Sequence, residues 1–185
     1  MALNSELTWD AVGDIVTDST TGTRVKDAFQ QKFQTPSKCL VPALTWLYKF
    51  NRYKDLTGQP QGPDSEVSPW WSMVDPYQHD AGLEARLKMA NLNGGIREWA
   101  RLTSAISENW STLEFLMKIQ LAESVYGWFG GFAAMPRLAA GKASLRDASN
   151  EDASSRSKFL PGGATQIYIP NLKVRHVQFH KCSEL

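Results

Sequence analysis

The sequence predicts an α+β domain spanning residues 1–185. Three observations carry this: an aromatic-rich strand over 44–50, helical apolar spacing within 80–126, and two strand-like segments, 165–169 and 173–180, near the end. A chain of 185 residues can bury a substantial core without disulfides or metal.

Residues 1–36 form a polar arm. Within it Val25, Phe29 and Phe33 recur every four residues, the spacing of a short helix with one apolar face. Pro36 and Pro42 punctuate the connection that follows. In 44–50, LTWLYKF, a strand puts Trp46, Tyr48 and Phe50 on one face and Thr45, Leu47 and Lys49 on the other. Residues 55–69 carry two Gly and three Pro, so they read as a loop leading to Ser68-Pro69-Trp70-Trp71-Ser72.

Leu83 and Leu87 mark a short helix that Gly94-Gly95 ends. Ile96, Trp99, Thr103, Ile106, Trp110, Leu113 and Met117 then alternate three and four apart, which predicts one buried helical face without chemistry. Ser111 with Glu114 has the spacing of a capping box, so a break near 109–111 fits the pattern. Residues 126–132 are a glycine-aromatic cluster. Residues 139–158 contain Leu145 as their one large aliphatic side chain and read as a long mobile loop before the C-terminal strands.

Composition excludes several classes. Hydrophobic residues at 42% and charged residues at 21% are those of an ordinary globular protein. A net charge of +1 lacks the basic excess of general nucleic-acid binding. No apolar run approaches the ~20 residues of a membrane span. The first residues, MALNSELTWDAVGD, lack the basic and apolar regions of a signal peptide. The expectation is a cytosolic protein, an effector exported without such a signal, or a piece of a longer chain. Cys39 and Cys182 read as reduced thiols.

Most simple chemistries find no support. His176, His180 and Cys182 cluster, but on a strand the two imidazoles stand about 13 Å apart, too far for one ion. They read as solvent-facing strand histidines, and no metal site is expected. There is no Gly-x-Ser-x-Gly elbow and no phosphate-cradling glycine loop. Cys39 with His79 lacks a local signature. The carboxylate pairs Asp75/Asp80 and Glu151/Asp152 fall in loops without a setting that would separate their pKa values.

The fuller constellation joins four places: Leu47-Tyr48-Lys49-Phe50, Ser68-Pro69-Trp70-Trp71-Ser72, Tyr126-Gly127-Trp128-Phe129-Gly130, and the stretch from Leu160 to Pro170. In the last, a Gly-Gly turn leads into a strand with Gln166 and Tyr168 on one face. An amide there can meet a ribose hydroxyl as donor and acceptor together.

In order and local character these segments, over residues 44–180, resemble the ADP-ribosyltransferase superfamily and its NAD-consuming domains in bacterial polymorphic toxins. The resemblance implies a split antiparallel β-core clamping NAD as substrate, with a helical segment and the 139–158 loop as lid or target-recognition element. It implies Lys49, with Arg52 as alternate, on the dinucleotide phosphates. Ser68, Trp70 and Ser72 would support the nicotinamide pocket, and Trp128 or Phe129 would stack on a ring. Gln166 would open the catalytic motif, and Tyr168 stands where the family's catalytic Glu belongs. Three outcomes follow: a Gln-type NAD glycohydrolase, replacement of the acid by Glu151, Asp152 or Glu184, or binding without catalysis. A secreted toxin of this kind implies a target protein and a cognate immunity protein.

Two other readings stay open. Many aromatics, near-zero charge and the missing Glu also suit a non-catalytic protein-binding module: an immunity protein, an adaptor or a viral structural protein. The third is an unrelated small-molecule enzyme with a Trp-lined cleft. Trp46 and Tyr48 also read as core aromatics, Trp70 and Trp71 as plugs under a sheet, and Gly162-Gly163 as a hairpin turn.

Overall fold

The computed structural model describes residues 1–19, 22–30, 35–57, 61–108, 110–137 and 159–185. In chain order the elements are α1 (Trp9–Gly13), β1 (Val16–Asp18), β2 (Thr23–Arg24), β3 (Ser37–Val41), β4 (Trp46–Asn51), β5 (Trp70–Trp71), α2 (Leu83–Leu92) and α3 (Ile96–Thr103). Then come β6 (Phe115–Leu121), β7 (Val125–Gly131), β8 (Met135–Pro136), β9 (Phe159–Leu160), β10 (Thr165–Tyr168) and β11 (Val177–Glu184). Short 3-10 helices cover Val25–Ala28 and Val174–His176. The architecture is α+β, with antiparallel pairing between its strands.

A four-stranded sheet runs in the order β3-β7-β10-β5, and a three-stranded sheet in the order β11-β6-β4. Tyr48 and Ser72 exchange backbone hydrogen bonds of 2.8 Å, joining β4 to the chain just after β5. Both sheets supply one core: Leu47, Met117, Ile119 and Leu121 from one, Val41, Trp71, Val125 and Ile167 from the other. Each such side chain stabilises the fold by about 1.5–3 kcal/mol through burial. Gly127 lies where β7 meets this core. A Cβ there would stand 2.8 Å from the Ile167 side chain, so only glycine admits that approach.

The outer face of the four-stranded sheet carries a second cluster, in which Val12, Val25 and Phe29 of the N-terminal segment cover Trp128 and Tyr168. The arm is therefore part of the fold. Val25 and Phe29 are buried as their spacing suggests, but the expected helix is a 3-10 turn, and Phe29 is extended and bridges to Phe132. Phe33 lies outside the described residues, as does the 139–158 loop.

The strand over 44–50 is present as β4, with its buried face carrying Leu47 and Lys49. Trp46 on the other face is 36% exposed and meets Phe179 edge-on at 5.5 Å, so it is not a core residue. Helix α2 ends before Gly94-Gly95, both at positive φ. The apolar stripe continuing to Met117 is corrected. It holds only through α3, and the chain then leaves the helix at Ser104–Ala105 and forms the central strand β6. Met117, Ile119 and Leu121 are buried on a period of two, with Lys118 and Gln120 between them. Ser111 accepts from the backbone N–H of Leu113 and caps no helix.

The segment 173–180 also divides. Val174–His176 is a 3-10 turn and β11 starts at Val177, so His176 is buried rather than solvent-facing. Its Nδ1 accepts from the Lys173 N–H at 2.9 Å. Burial holds its pKa below 6.5, opposed by Glu123 and aided by Arg175 and Lys173. The unfolded chain thus binds a proton that the folded chain resists, so His176 makes stability fall as pH drops below about 6.5. Urea midpoints between pH 7.5 and 5 are expected to fall, and to fall less in His176→Asn. Equal slopes in the two proteins would refute this.

Candidate functional site

A cleft of about 1360 Å³ runs beside the two-residue edge strand β5. Lys49, Arg52, Ser68, Trp70, Ser72 and Gln166 all line it. Trp128, Phe129 and Tyr168 do not line it. Trp128 is 1% exposed and packs beneath the N-terminal arm. Phe129 is on the surface of β7, opposite Ser37 and Ile167. Tyr168 is 4% exposed, and burial raises its pKa. Its ring lies 4.5 Å from that of Trp70, so it reaches the cleft only through that neighbour.

Lys49 is placed by strand alternation. It follows Leu47 on the core-facing side of β4, opposite Met117 of β6. The cleft opens onto it, so it is half-buried, and its Nζ stands 5.9 Å over the Trp71 ring. Burial lowers its pKa to about 8. Among the described residues no carboxylate pairs with it. Lys118, on the opposite face of the same sheet, is held by Asp75 at 2.7 Å. Arg52 follows at the end of β4, exposed, with its guanidinium 4.8 Å over the Tyr53 ring.

Ser68 and Ser72 bracket β5. Ser68 Oγ accepts from Trp70 N–H and its carbonyl accepts from Trp71 Nε1 at 2.6 Å, while Ser72 Oγ accepts from Val74 N–H at 3.1 Å. These contacts lock the Trp70-Trp71 pair. Trp70 faces outward toward Phe29 and Tyr168, whereas Trp71 points into the core between the sheets.

Gln166 stands on the outer face of β10, wholly buried. Its Nε2 donates to the Ala28 carbonyl at 2.8 Å, which fixes the amide orientation. Its Oε1 is buried with no hydrogen-bond partner among the described residues. An acceptor left this way costs about 1–3 kcal/mol. The donor side of the amide is thus committed to Ala28, and its acceptor is unused among the described residues. The turn feeding β10 is built for close approach: at Gly162, φ +70°, a Cβ would stand 2.4 Å from the Phe132 carbonyl oxygen.

Sequence reasoning missed much of the wall. Trp99, half-buried, and Trp110, 45% exposed, line the cleft, although their spacing reads as core. Asp27 and Ala28 join it from the N-terminal arm. Helical spacing marks two tryptophans as one face but does not say that the face borders a cavity. Nothing local marks Ala28. Of the acids considered for the missing Glu, Glu184 pairs with Lys54 at 3.1 Å at the exposed end of β11 and does not line the cleft. Glu151 and Asp152 lie outside the described residues.

No described group of three His, Cys, Asp or Glu side chains could hold a metal ion, and no described helix is long and apolar enough to cross a membrane. No protein-family model matches the chain, and no curated protein and no solved structure matches it.

Proposed function

We propose that the cleft binds NAD and that the nicotinamide–ribose bond is cleaved there, with ADP-ribose passing to water or to a side chain of a target protein. The observation that carries the reading is Lys49: an ammonium without a carboxylate partner among the described residues, in an aromatic-walled cleft. Such a group is costly in the empty protein and is compensated by an anion. Arg52 extends the positive end, and the tryptophans offer planar surfaces for the bases. Lys49 enters from between the sheets and Gln166 from the outer face, so a ligand meeting both is elongated and rounds the β5 edge, as a dinucleotide can.

In this reading Lys49 and Arg52 take the pyrophosphate, and Gln166 Oε1 accepts from a ribose hydroxyl. Enclosure of the glycosidic bond favours an oxocarbenium-like ribose as nicotinamide leaves. Asp27, beside the carbonyl that anchors Gln166, is the carboxylate that takes the place of the missing Glu. A toxin role, with an immunity partner, belongs to the same proposal.

A second reading, a binding module without catalysis, is favoured by one observation. Tyr168 is a packing residue in an aromatic cluster, so the position of the family's catalytic acid contributes none here.

Tryptophan fluorescence titration with NAD and an assay for released nicotinamide separate these readings. The expected result is saturable binding with release, and a more than tenfold loss of release in Gln166→Leu, equivalent to about 1.4 kcal/mol of barrier. Ala28 O keeps the Ala133 N–H as donor in that variant, so the fold retains its contact. Binding without release, with water or with lysate as acceptor, establishes the second reading. Absence of binding overturns both NAD readings.

A further inference from the structure

We propose that Lys49 is a covalent attachment site, whose Nζ forms an imine with a carbonyl compound carrying a planar ring and an anionic group. This goes beyond NAD cleavage and does not rest on it.

Four other lysines of the fold have oxygen partners. Lys26 is held by Asp14 at 2.7 Å, Lys118 by Asp75 at 2.7 Å and Lys54 by Glu184 at 3.1 Å. Lys38 donates to the Ser5 and Leu7 carbonyls at 2.6 and 2.8 Å. Lys49 has no such partner among the described residues. It stands beside Trp71 on the core-facing side of β4, and it opens onto a cavity large enough for a small organic ligand. Desolvation without a counter-charge favours the neutral amine, and its pKa is near 8. A lysine in that state is a nucleophile toward carbonyls.

The surroundings define the ligand. Trp70, Trp71 and Trp99 supply flat apolar walls, which suit a planar ring. Arg52 has no ion pair among the described residues and gives the cleft a permanent cation, which suits a phosphate or carboxylate on that ring. The step balances without an oxidant. The Nζ lone pair attacks the carbonyl carbon, the π pair moves to oxygen, and protons shift from nitrogen to oxygen. Water then leaves as the C=N bond forms. The neutral imine places no charge in the apolar wall.

The test uses the full chain with pyridoxal 5′-phosphate as probe, sodium cyanoborohydride to trap the imine, and peptide mapping of every lysine. Lys49 is expected to be modified at least tenfold faster than any other lysine at pH 8. Benzaldehyde, which lacks the anionic group, is expected to react more slowly there, and Lys49→Arg is expected to abolish the fast phase. Labelling that follows surface exposure, or that leaves Lys49 no faster than the rest, overturns the proposal. The mapping is done on the parent protein, so the conclusion stands even where the variant does not fold. NAD added as competitor keeps the two readings apart. Fast labelling of Lys49 that NAD does not slow, with no NAD binding by fluorescence, upholds the imine and overturns NAD. NAD binding without preferential labelling does the reverse.

Discussion

Lys49→Met is expected to make the protein more stable and to remove its affinity for NAD. The stability gain follows from the amine's surroundings. A lysine whose pKa falls from 10.5 to about 8 on folding costs roughly 3 kcal/mol wherever the unfolded chain is fully protonated. Methionine keeps much of the volume and removes the charge, beside Leu47, Met117 and Trp71. The expected gain at pH 7 is about 2–3 kcal/mol, or ~4–12 °C in Tm for a chain of this size. The pH dependence has a definite sign. Between about pH 8 and 10.5 the unfolded chain holds a proton that the folded chain has released, so parent stability rises with pH through that window. The advantage of Lys49→Met is therefore largest below pH 8 and shrinks toward pH 10.5. Denaturant melts of both proteins at pH 7 and pH 10 measure this. A destabilised variant, or a difference that does not change with pH, would show that the amine is compensated within the fold. A charge that lowers stability in a cleft is the usual mark of a group held for a ligand. Stability gained with binding lost is the outcome that links the two.

The sequence made some of this legible and hid the rest for physical reasons. Strand alternation in LTWLYKF separates the Leu47–Lys49 face from the Trp46–Tyr48–Phe50 face, and the protein keeps that separation. Pattern alone does not say which face is inside. The aromatic face looks the more apolar, but it is the lysine that turns inward, because its face, shared with Met117 and Ile119 of β6, packs against Trp71 and Ile167 of the other sheet. Gln166 and Tyr168 likewise share a face as alternation requires. Their environments diverge because the N-terminal arm, distant in sequence, packs Tyr168 into the aromatic cluster but meets Gln166 through the Ala28 carbonyl, leaving its oxygen without a partner among the described residues. The long helical stripe misleads where two periods coincide. Leu113 and Met117 fit a spacing of three and four, yet Met117 belongs to a strand whose period of two appears only with Ile119 and Leu121. The cleft is the least legible feature. Its walls come from the arm, from β4 and β5, from α3 and from the turn before β10, and no local pattern carries such a convergence.

Trp128→Ala is expected to destabilise the fold by about 3–5 kcal/mol, the range for truncating a large buried aromatic, and to leave NAD affinity within twofold. Its place in the aromatic cluster sets the size of the effect. The ring lies 6.5 Å from that of Trp9, and Lys38 Nζ stands 5.8 Å over it while donating to two carbonyls of the arm. Truncation opens a cavity beneath α1, between the arm and the outer face of the sheet. The affinity prediction follows because Trp128 does not line the cleft. Trp128→Phe keeps the cluster filled and serves where the alanine variant is too unstable to titrate. Phe129→Ala, at an exposed position on the same strand, is expected to change stability by less than about 1 kcal/mol. The contrast separates two roles that the sequence leaves joined. A ring that stacks on a ligand loses affinity when removed and costs little stability, whereas a ring that holds the arm to the sheet does the opposite. A more than tenfold loss of NAD affinity in Trp128→Phe, with stability unchanged, would return Trp128 to the binding surface and require the arm to move aside when ligand enters.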